Sequence, residues 1–343
     1  MYEAYFRHKF TNELVLYIFL LLLLAISPFL FIWELINNVR LCFQSQNENM
    51  SGKVVLITGA SSGLGEFMAY EYAKRGARLA IIAREKPESR LKQVADTARG
   101  LGSPDVLFIY ADVSKVEECR KFVDDTIKHF GQLDHLVCNA GIGSTYSSTN
   151  DVTKFEPVMV SSLLQLMHAV NMSCIKFTRE LYVQDINFWG SIYPTHFAIP
   201  HLKKTHGKII VNSSYAGLIH PANCGIYSAS KAALISFYES LRFEVSPAIT
   251  ITILKLGFIQ TNIITAKYLN DSAGSHLISK DLVAVVPAME VEPCTKAIVD
   301  GVCKGATSIS EPRMMKGLVL VTFLFPQLYN FITKTFSHKI FKT

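Results

Sequence analysis

One stretch limits the fold more than any other: GKVVLITGASSGLGEFMAYEYAKRGARLAIIA, residues 52–83. Lys53 to Thr58 is a short β-branched run, Gly59 to Gly65 a glycine turn, Glu66 to Arg75 has helical composition closed by Gly76, and Arg78 to Ala83 is apolar again. Strand, turn, helix and strand in that order make a βαβ unit, which predicts a parallel sheet covered by helices. Gly59 permits the tight turn, Gly63 lets backbone approach a pyrophosphate, and Gly65 lets the helix pack close to the sheet. Amides at the start of that helix then face the anion. The spacing is TGxxxGxG rather than GxGxxG, and its place between strand and helix makes it a dinucleotide signal. Gly59, Ser61, Ser62, Gly63, Leu64 and Gly65 are the expected cofactor-binding turn.

The end of the second strand indicates which dinucleotide. An NAD-selective site places a carboxylate there for the ribose 2′-hydroxyl, where this chain has Ala83-Arg84. Arg84, with Lys86 nearby, offers a cation to a 2′-phosphate, so the expected cofactor is NADP(H). Asp112, after the strand Val106 to Tyr110, falls where a carboxylate meets the adenine. It suits equally well an N-cap ahead of a helix from Ser114 to Phe130, and both roles stay open.

Downstream, in SSYAGLIHPANCGIYSASKAAL, Ser214 precedes Tyr227 by thirteen positions and Lys231 follows it by four. On one helix that interval of four sets phenol and ammonium on the same face. YxxxK alone is common; the glycine turn upstream makes this pair a candidate for proton transfer. A free tyrosine titrates near pH 10, so work near neutrality needs its pKa lowered to roughly 7, about 4 kcal/mol of differential stabilisation of the phenolate. The buried neighbouring cation Lys231 is the expected source. Ser214 then donates to the substrate oxygen on which charge develops, which makes it a substrate-binding and a catalytic residue.

With TGASSGLG at 58–65, CNAG at 138–141, and Ser214, Tyr227 and Lys231, the chain resembles the short-chain dehydrogenase/reductases over residues 50–300. Within them it looks most like the plant hydroxysteroid dehydrogenases called steroleosins, related to 11-beta-hydroxysteroid dehydrogenase, through runs such as ADVSKVEECRKFVDDTIKHFG and INFWGS. The resemblance implies that Tyr227 is the general acid/base, that Lys231 lowers its pKa and holds the nicotinamide ribose, and that Ser214 orients the substrate oxygen. It also implies that Asn187 completes a water relay to the lysine, and that Asn139, Ala140 and Gly141 lie over the adenine ribose. Ile259 and Thr261 carry the implied nicotinamide contacts. The implied fold is α/β, a Rossmann-type doubly wound parallel sheet of about seven strands with an N-terminal membrane-anchor helix. The implied reaction is NADP(H)-dependent interconversion of a secondary alcohol and a ketone on an apolar, steroid-like molecule.

Two features depart from that family. Leu256-Gly257 stands after the sixth strand where Pro-Gly is usual, so the turn loses a φ constraint and Ile259 and Thr261 are held less securely. The interval from Gly141 to Asn187 is longer than the family's, and deleting the 25 residues Val160 to Gln184 joins FEPVM to DINFWGS and restores it. The segment begins with valine and ends with glutamine, whose codons match the GT and CAG of intron ends. It therefore reads as an insertion, either a retained intron or a lineage-specific addition. It lands on the helix carrying Asn187, which in the family often packs a dimer interface, so a homodimer is the assembly implied.

The family-like region leaves two ends of a 343-residue chain, and the surplus of its 50% hydrophobic residues gathers there. Leu14 to Trp33 carries no charge over 20 residues, enough at about 1.5 Å per residue to cross roughly 30 Å of hydrocarbon. It reads as a membrane anchor rather than a cleaved signal peptide, with Pro28 allowing a kink or a hairpin into one lipid monolayer. Residues 1–49 are expected to be anchor and linker, and the location a membrane, on a lipid droplet or the endoplasmic reticulum. In the tail, 301–343, Gly317 to Phe325 is too short to span and Pro326 interrupts it. The last residues mix Leu, Tyr, Phe and Ile with Lys334, Lys339 and Lys342, as an interfacial amphipathic segment or a lid over an apolar cleft would.

The net charge of +6 suits an anionic lipid surface, while no basic cluster with aromatic platforms suggests nucleic acid. The seven cysteines are odd in number and show neither CxxC nor metal spacing, and the histidines form no ligand set, so reduced thiols and no metal are expected. Three rivals stay open: a lipid-droplet sterol-binding or coat protein, an inactive splice product, and a reductase of ketosphingolipids or retinoids.

Overall fold

The computed structural model describes residues 48–86, 89–143, 183–221, 224–261 and 288–340, with scattered residues between 14 and 36. The expected insertion lies outside these residues except for Val183 and Gln184, as do Cys42, Cys174 and most of the linker. The chain divides after Asn47 into two units. In the first, every described residue between 14 and 36 is helical, Pro28 included, and Leu21, Phe29 and Trp33 are exposed. Among the described residues no single helix is long and apolar enough to cross a membrane.

The second unit is built on seven parallel strands: β1 (Val54–Thr58), β2 (Arg78–Ala83), β3 (Val106–Tyr110), β4 (His135–Cys138), β5 (Lys208–Asn212), β6 (Thr250–Leu256) and β7 (Ser308–Glu311). They lie in the order β3-β2-β1-β4-β5-β6-β7. The chain winds outward from β1 to β3 and then returns to lay β4 against the other edge of β1. Strand order therefore reverses between β1 and β4, and ligands of such sheets bind beyond the carboxyl ends at that point.

Among the described residues, eight α-helices accompany the strands: α1 (Gly63–Ala73), α2 (Leu91–Gly100), α3 (Val116–Phe130), α4 (Gly190–Thr205), α5 (Gly225–Val245), α6 (Val291–Cys303), α7 (Met315–Leu324) and α8 (Pro326–Ile340). Alternate side chains of the strands feed two cores. Val55 and Ile57 pack with Met68 of α1, Val94 of α2 and Ile298 of α6, while Val54 and Leu56 pack with Phe122 of α3, Leu202 of α4 and Tyr238 of α5. Coverage of both faces explains why β1 and β2 read as unbroken apolar runs.

Two expected boundaries move. α1 starts at Gly63, not Glu66, because the last two glycines of the turn already form its first turn. The sheet passes residue 300, since α6 runs to Cys303 and β7, ending at Glu311, pairs with β6. In the tail the apolar run forms α7 and the chain from Pro326 onward forms α8, the pair bent by 115° at Phe325.

Candidate active site

β1 ends at Thr58, and Gly59 (φ 67°) and Gly63 (φ 59°) carry the chain through left-handed conformations that other residues rarely adopt. A methyl group on Gly59 would lie 2.7 Å from the Ala140 Cα, and one on Gly65 would run into the Gly59 carbonyl. The turn thus seats against β4 only because these positions lack side chains. Ser62, the N-cap of α1, makes no side-chain hydrogen bond to the helix, so the first-turn amides are left for another acceptor. Bare glycines, uncapped amides and the switch point together fit a dinucleotide pyrophosphate. The Thr261 side chain comes within 3.5 Å of a methyl placed on Gly63 and so closes the rim. Leu64 packs on the core, leaving its backbone for a ligand. The Ala60 amide donates to the Ile82 carbonyl at 3.0 Å, tying the turn to the end of β2, and half-buried Arg84 stands two residues beyond Ile82.

α5 brings Tyr227 and Lys231 together as expected, with the Lys231 Nζ 5.7 Å from the centroid of the Tyr227 ring. Lys231 is 4% exposed, and its ammonium donates to the Asn212 carbonyl at 2.7 Å. Burial drives its pKa down to about 8. Tyr227 does not show the expected depression. Burial pushes its phenol up to about 12, with a Ser214 hydrogen bond opposing the rise and Cys224 adding to it. The reason is geometric: the ammonium is aimed at a carbonyl rather than at the phenol oxygen. The Ser214 hydroxyl donates to the Leu256 carbonyl at 3.1 Å and accepts the Ala216 amide at 3.1 Å, so donation to a substrate oxygen takes a rotation of one O–H.

Asn187 sits in a π turn, Asp185–Trp189, whose extra width drops a polar side chain into a fully buried place. Its Oδ1 accepts the Ile142 amide at 2.8 Å, and its Nδ2 donates to the Ile142 carbonyl at 3.0 Å and to Ser230 Oγ at 3.1 Å. Ser230 in turn donates to the Tyr227 carbonyl at 2.7 Å. Asn187 therefore clamps the segment after β4 onto the helix that bears Tyr227 and Lys231.

Other expected residues take different parts. The Asn139 side chain is used inside the protein: Nδ2 donates to the Thr58 and Gly59 carbonyls at 3.0 and 3.2 Å, and Oδ1 accepts from Asn212 at 2.9 Å. The Asn139 and Ala140 amides both donate to the Thr58 hydroxyl, each at 3.1 Å, so the turn through Gly141 has backbone carbonyls rather than an amide side chain to offer a nucleotide. Asp112 is not the N-cap of α3, which is Lys115; its Oδ1 accepts both the amide and the hydroxyl of Ser114 and shapes the preceding turn. Ile259 is buried in the core, so only its backbone is left for a nicotinamide. The turn after Leu256 is held without proline. Gly257 donates to the Glu311 carbonyl at 2.8 Å, and a bridge between Ile259 and Met289 is closed by Met289 N to Phe258 O and Gln260 N to Met289 O, both 2.9 Å.

Three residues that sequence reasoning passed over complete the site: Thr58, Asn212 and Ser230. Thr58 opens the TGxxxGxG motif, whereas Asn212 and Ser230 show in the sequence only as polar residues at the end of an apolar strand and within a helix.

The protein-family model described as short chain dehydrogenase matches residues 53–271. The chain is 45% identical over 285 residues to an Arabidopsis thaliana protein named 11-beta-hydroxysteroid dehydrogenase-like 2, covering 83% of this chain and 82% of that one. It is 41% identical over 328 residues to 11-beta-hydroxysteroid dehydrogenase A of Arachis hypogaea, covering 94% of this chain and 85% of that one. Among solved structures, a Burkholderia phymatum short chain dehydrogenase/reductase in complex with NAD shares the fold at a TM-score of 0.65 and 21% identity, over 82% of this chain and 96% of that one. The matched span takes in the glycine turn, Ser214, Tyr227 and Lys231 together. The chain therefore belongs to the short-chain dehydrogenases, oxidoreductases that act on a small molecule with a nicotinamide dinucleotide.

Proposed function

We propose that this protein interconverts a secondary alcohol and a ketone on a steroid-like lipid with NADP(H), at a membrane or lipid-droplet surface and as a homodimer. The observation that carries the reaction is the set of half-buried Ser214 and Tyr227 with buried Lys231 at the carboxyl end of the sheet, beside the glycine cradle. Arg84 after β2, where NAD-selective sites hold a carboxylate, supports NADP(H). The names of the relatives support a hydroxysteroid. The uncharged run Leu14 to Trp33 supports anchoring in a lipid phase, where such substrates dissolve.

A bound NADPH supplies the hydride. As the new C–H bond forms, the carbonyl π pair of the substrate collapses onto its oxygen, and Tyr227 gives that oxygen its phenolic proton. The phenol, pushed up to about 12 by burial, carries the proton that the reduction step consumes. Ser214 orients the oxygen, Lys231 holds the ribose, and Asn187 keeps the helix bearing both proton-handling residues in register with the segment after β4.

Purified full-length protein in detergent, given a panel of ketosteroids with NADPH or NADH, tests this reading. Turnover of ketosteroids favouring NADPH, and its loss in Tyr227→Phe with NADPH still bound, is the expected result. Cofactor binding without turnover would select a sterol-binding or coat role, and turnover confined to other carbonyl compounds would sink the steroid.

A further inference from the structure

The glycine turn that fits a pyrophosphate is followed at once by an acid. Glu66 stands in the first turn of α1, close behind the amides left for an anion, and is only 5% exposed. A buried carboxylate beside the place of a polyanion opposes binding unless its charge is answered. Glu66 Oε1 accepts the Tyr70 hydroxyl at 2.9 Å and Arg90 Nη2 at 3.2 Å. An ion pair between two exposed side chains would say little, but this acid is buried and loses its cation if Arg90 moves.

Both partners lead to α2. Arg90 is the N-cap of α2, and its Nε donates to Gln93 Oε1 at 3.1 Å. The Tyr70 phenol is pushed up by burial and by the Glu66 carboxylate, and a hydrogen bond with Thr97 of α2 opposes the rise, so this hydroxyl faces both helices. Leu91 and Val94 hold α2 on the core, yet apolar packing is non-directional. The polar bonds of Glu66 give the start of α2 its bearing on the glycine turn.

Between β2 and α2 run residues 84–90, which carry Arg84 and Lys86. The segment is fixed at its first end, where the Ala83 carbonyl accepts the Ala111 amide at 2.9 Å, and it folds back through the Ser89 amide and the Lys86 carbonyl, also at 2.9 Å. Its other end is Arg90, in the grip of Glu66.

We infer that Glu66 is a positioning residue for cofactor selection: bonded to Tyr70 and Arg90, it sets residues 84–90 against the glycine turn so that Arg84 and Lys86 meet the ribose 2′-phosphate. The inference rests on the NADP(H) reading above and names the residue that makes those cations effective. Glu66 acts through Arg90 and not by touching the cofactor. Charge alone and positioning then have opposite signs. As a mere nearby anion, Glu66 would weaken NADPH, and its removal would tighten binding. As a positioning residue its removal loosens NADPH and leaves NADH, which has no 2′-phosphate, nearly as before.

The test measures dissociation constants of NADPH and NADH without substrate, from cofactor fluorescence on the full chain in detergent. The parent is expected to favour NADPH; parity or the reverse overturns the NADP(H) reading and this inference with it. Glu66→Met keeps the buried volume and Arg90 is more than half exposed, so both variants are suited to fold. Glu66→Met and Arg90→Ala are each expected to cut the NADPH preference about tenfold, almost all of it in the NADPH constant, and the double variant no further than either alone. Glu66→Gln, which keeps an acceptor for both partners, is expected to recover most of the loss. With the parent's preference intact, tighter or unchanged NADPH binding in Glu66→Met overturns the positioning role, and a loss in Arg90→Ala alone gives the phosphate contact to Arg90 instead. Equal weakening of both cofactors overturns it too, leaving the pair a support of the fold only.

Discussion

A lysine meets each end of β5, Lys208 half-buried at one and Lys231 of α5 buried at the other, and the two are treated in opposite ways. At its amino end Lys208 opens the strand, lies 2.6 Å from Glu48 Oε2 and donates to the Val302 carbonyl at 2.7 Å. Glu48 also meets Lys53 at 3.1 Å and the buried His135 at 3.2 Å. Burial would raise the Glu48 carboxyl, but its hydrogen bonds and charge interactions with His135 and Lys208 outweigh that and hold it well below the usual carboxylate range. Burial keeps His135 itself biased to the neutral form, so Lys208 is the lasting cation. At the carboxyl end Lys231 has the Asn212 carbonyl and, among the described residues, no carboxylate. A lysine given its counterion stabilises the fold; one denied it stays available for a ligand and stores a desolvation penalty.

The largest expected effect separates chemistry from stability. Tyr227→Phe and Lys231→Met should each lower kcat by about 10³-fold or more. The fall of the Lys231 pKa from 10.5 to about 8 means its charged form is disfavoured by about 3 kcal/mol in the fold, so Lys231→Met should melt no lower than the parent, and higher by up to that amount. Lys208→Met should do the reverse. It takes one cation from the half-buried Glu48 carboxylate, which keeps Lys53, losing about 1–3 kcal/mol in urea unfolding while leaving kcat nearly intact. If both variants unfold alike, the contrast between the two ends is wrong.

The pH dependence of stability sharpens the contrast next. Lys231 has a folded pKa below its unfolded value, so the unfolded chain binds more protons between about pH 8 and 10.5, and stability rises with pH across that window. Glu48 is also depressed; its contribution is full above an unfolded pKa near 4.5 and is lost as pH falls through the folded value. His135, lowered by burial, likewise loses its contribution as pH falls below about 6.5. Urea midpoints measured from pH 3 to 10 should fall below about pH 6.5 with His135 and again below about pH 4.5 with Glu48, the second fall being lost in Glu48→Gln, and should show an alkaline rise that Lys231→Met removes. An alkaline rise that survives in Lys231→Met would remove the lysine from that account.

The same two ends explain why some of this was legible. β1, the glycine turn and β2 could be read because strands buried on both faces are unbroken apolar runs, and because Gly59 and Gly63 stand where only glycine is tolerated. Tyr227 and Lys231 could be read because one helical turn fixes their interval. The Asn139 staple and the Lys208 and His135 contacts of Glu48 could not, since partners 73 to 160 residues apart leave no periodic trace. The direction of the Tyr227 shift was misread for a similar reason: it depends on where the Lys231 ammonium points, which its Asn212 acceptor decides and spacing does not.

The smallest effect concerns Ser230, the one residue that joins the two partners of the lysine's helix. It accepts from Asn187 Nδ2 and donates to the Tyr227 carbonyl, so Ser230→Ala removes an acceptor from a buried amide whose other hydrogen stays on Ile142. One unsatisfied buried donor costs about 1–3 kcal/mol, which appears in urea unfolding whether or not the clamp serves catalysis. The discriminating readout is kinetic. If Asn187 and Ser230 only fill space, kcat and the KM for NADPH stay as in the parent once the variant is folded. If they hold the helix in register with the segment after β4, kcat falls about three- to tenfold while the KM for NADPH barely moves, because the glycine cradle on the far side of Asn139 is untouched.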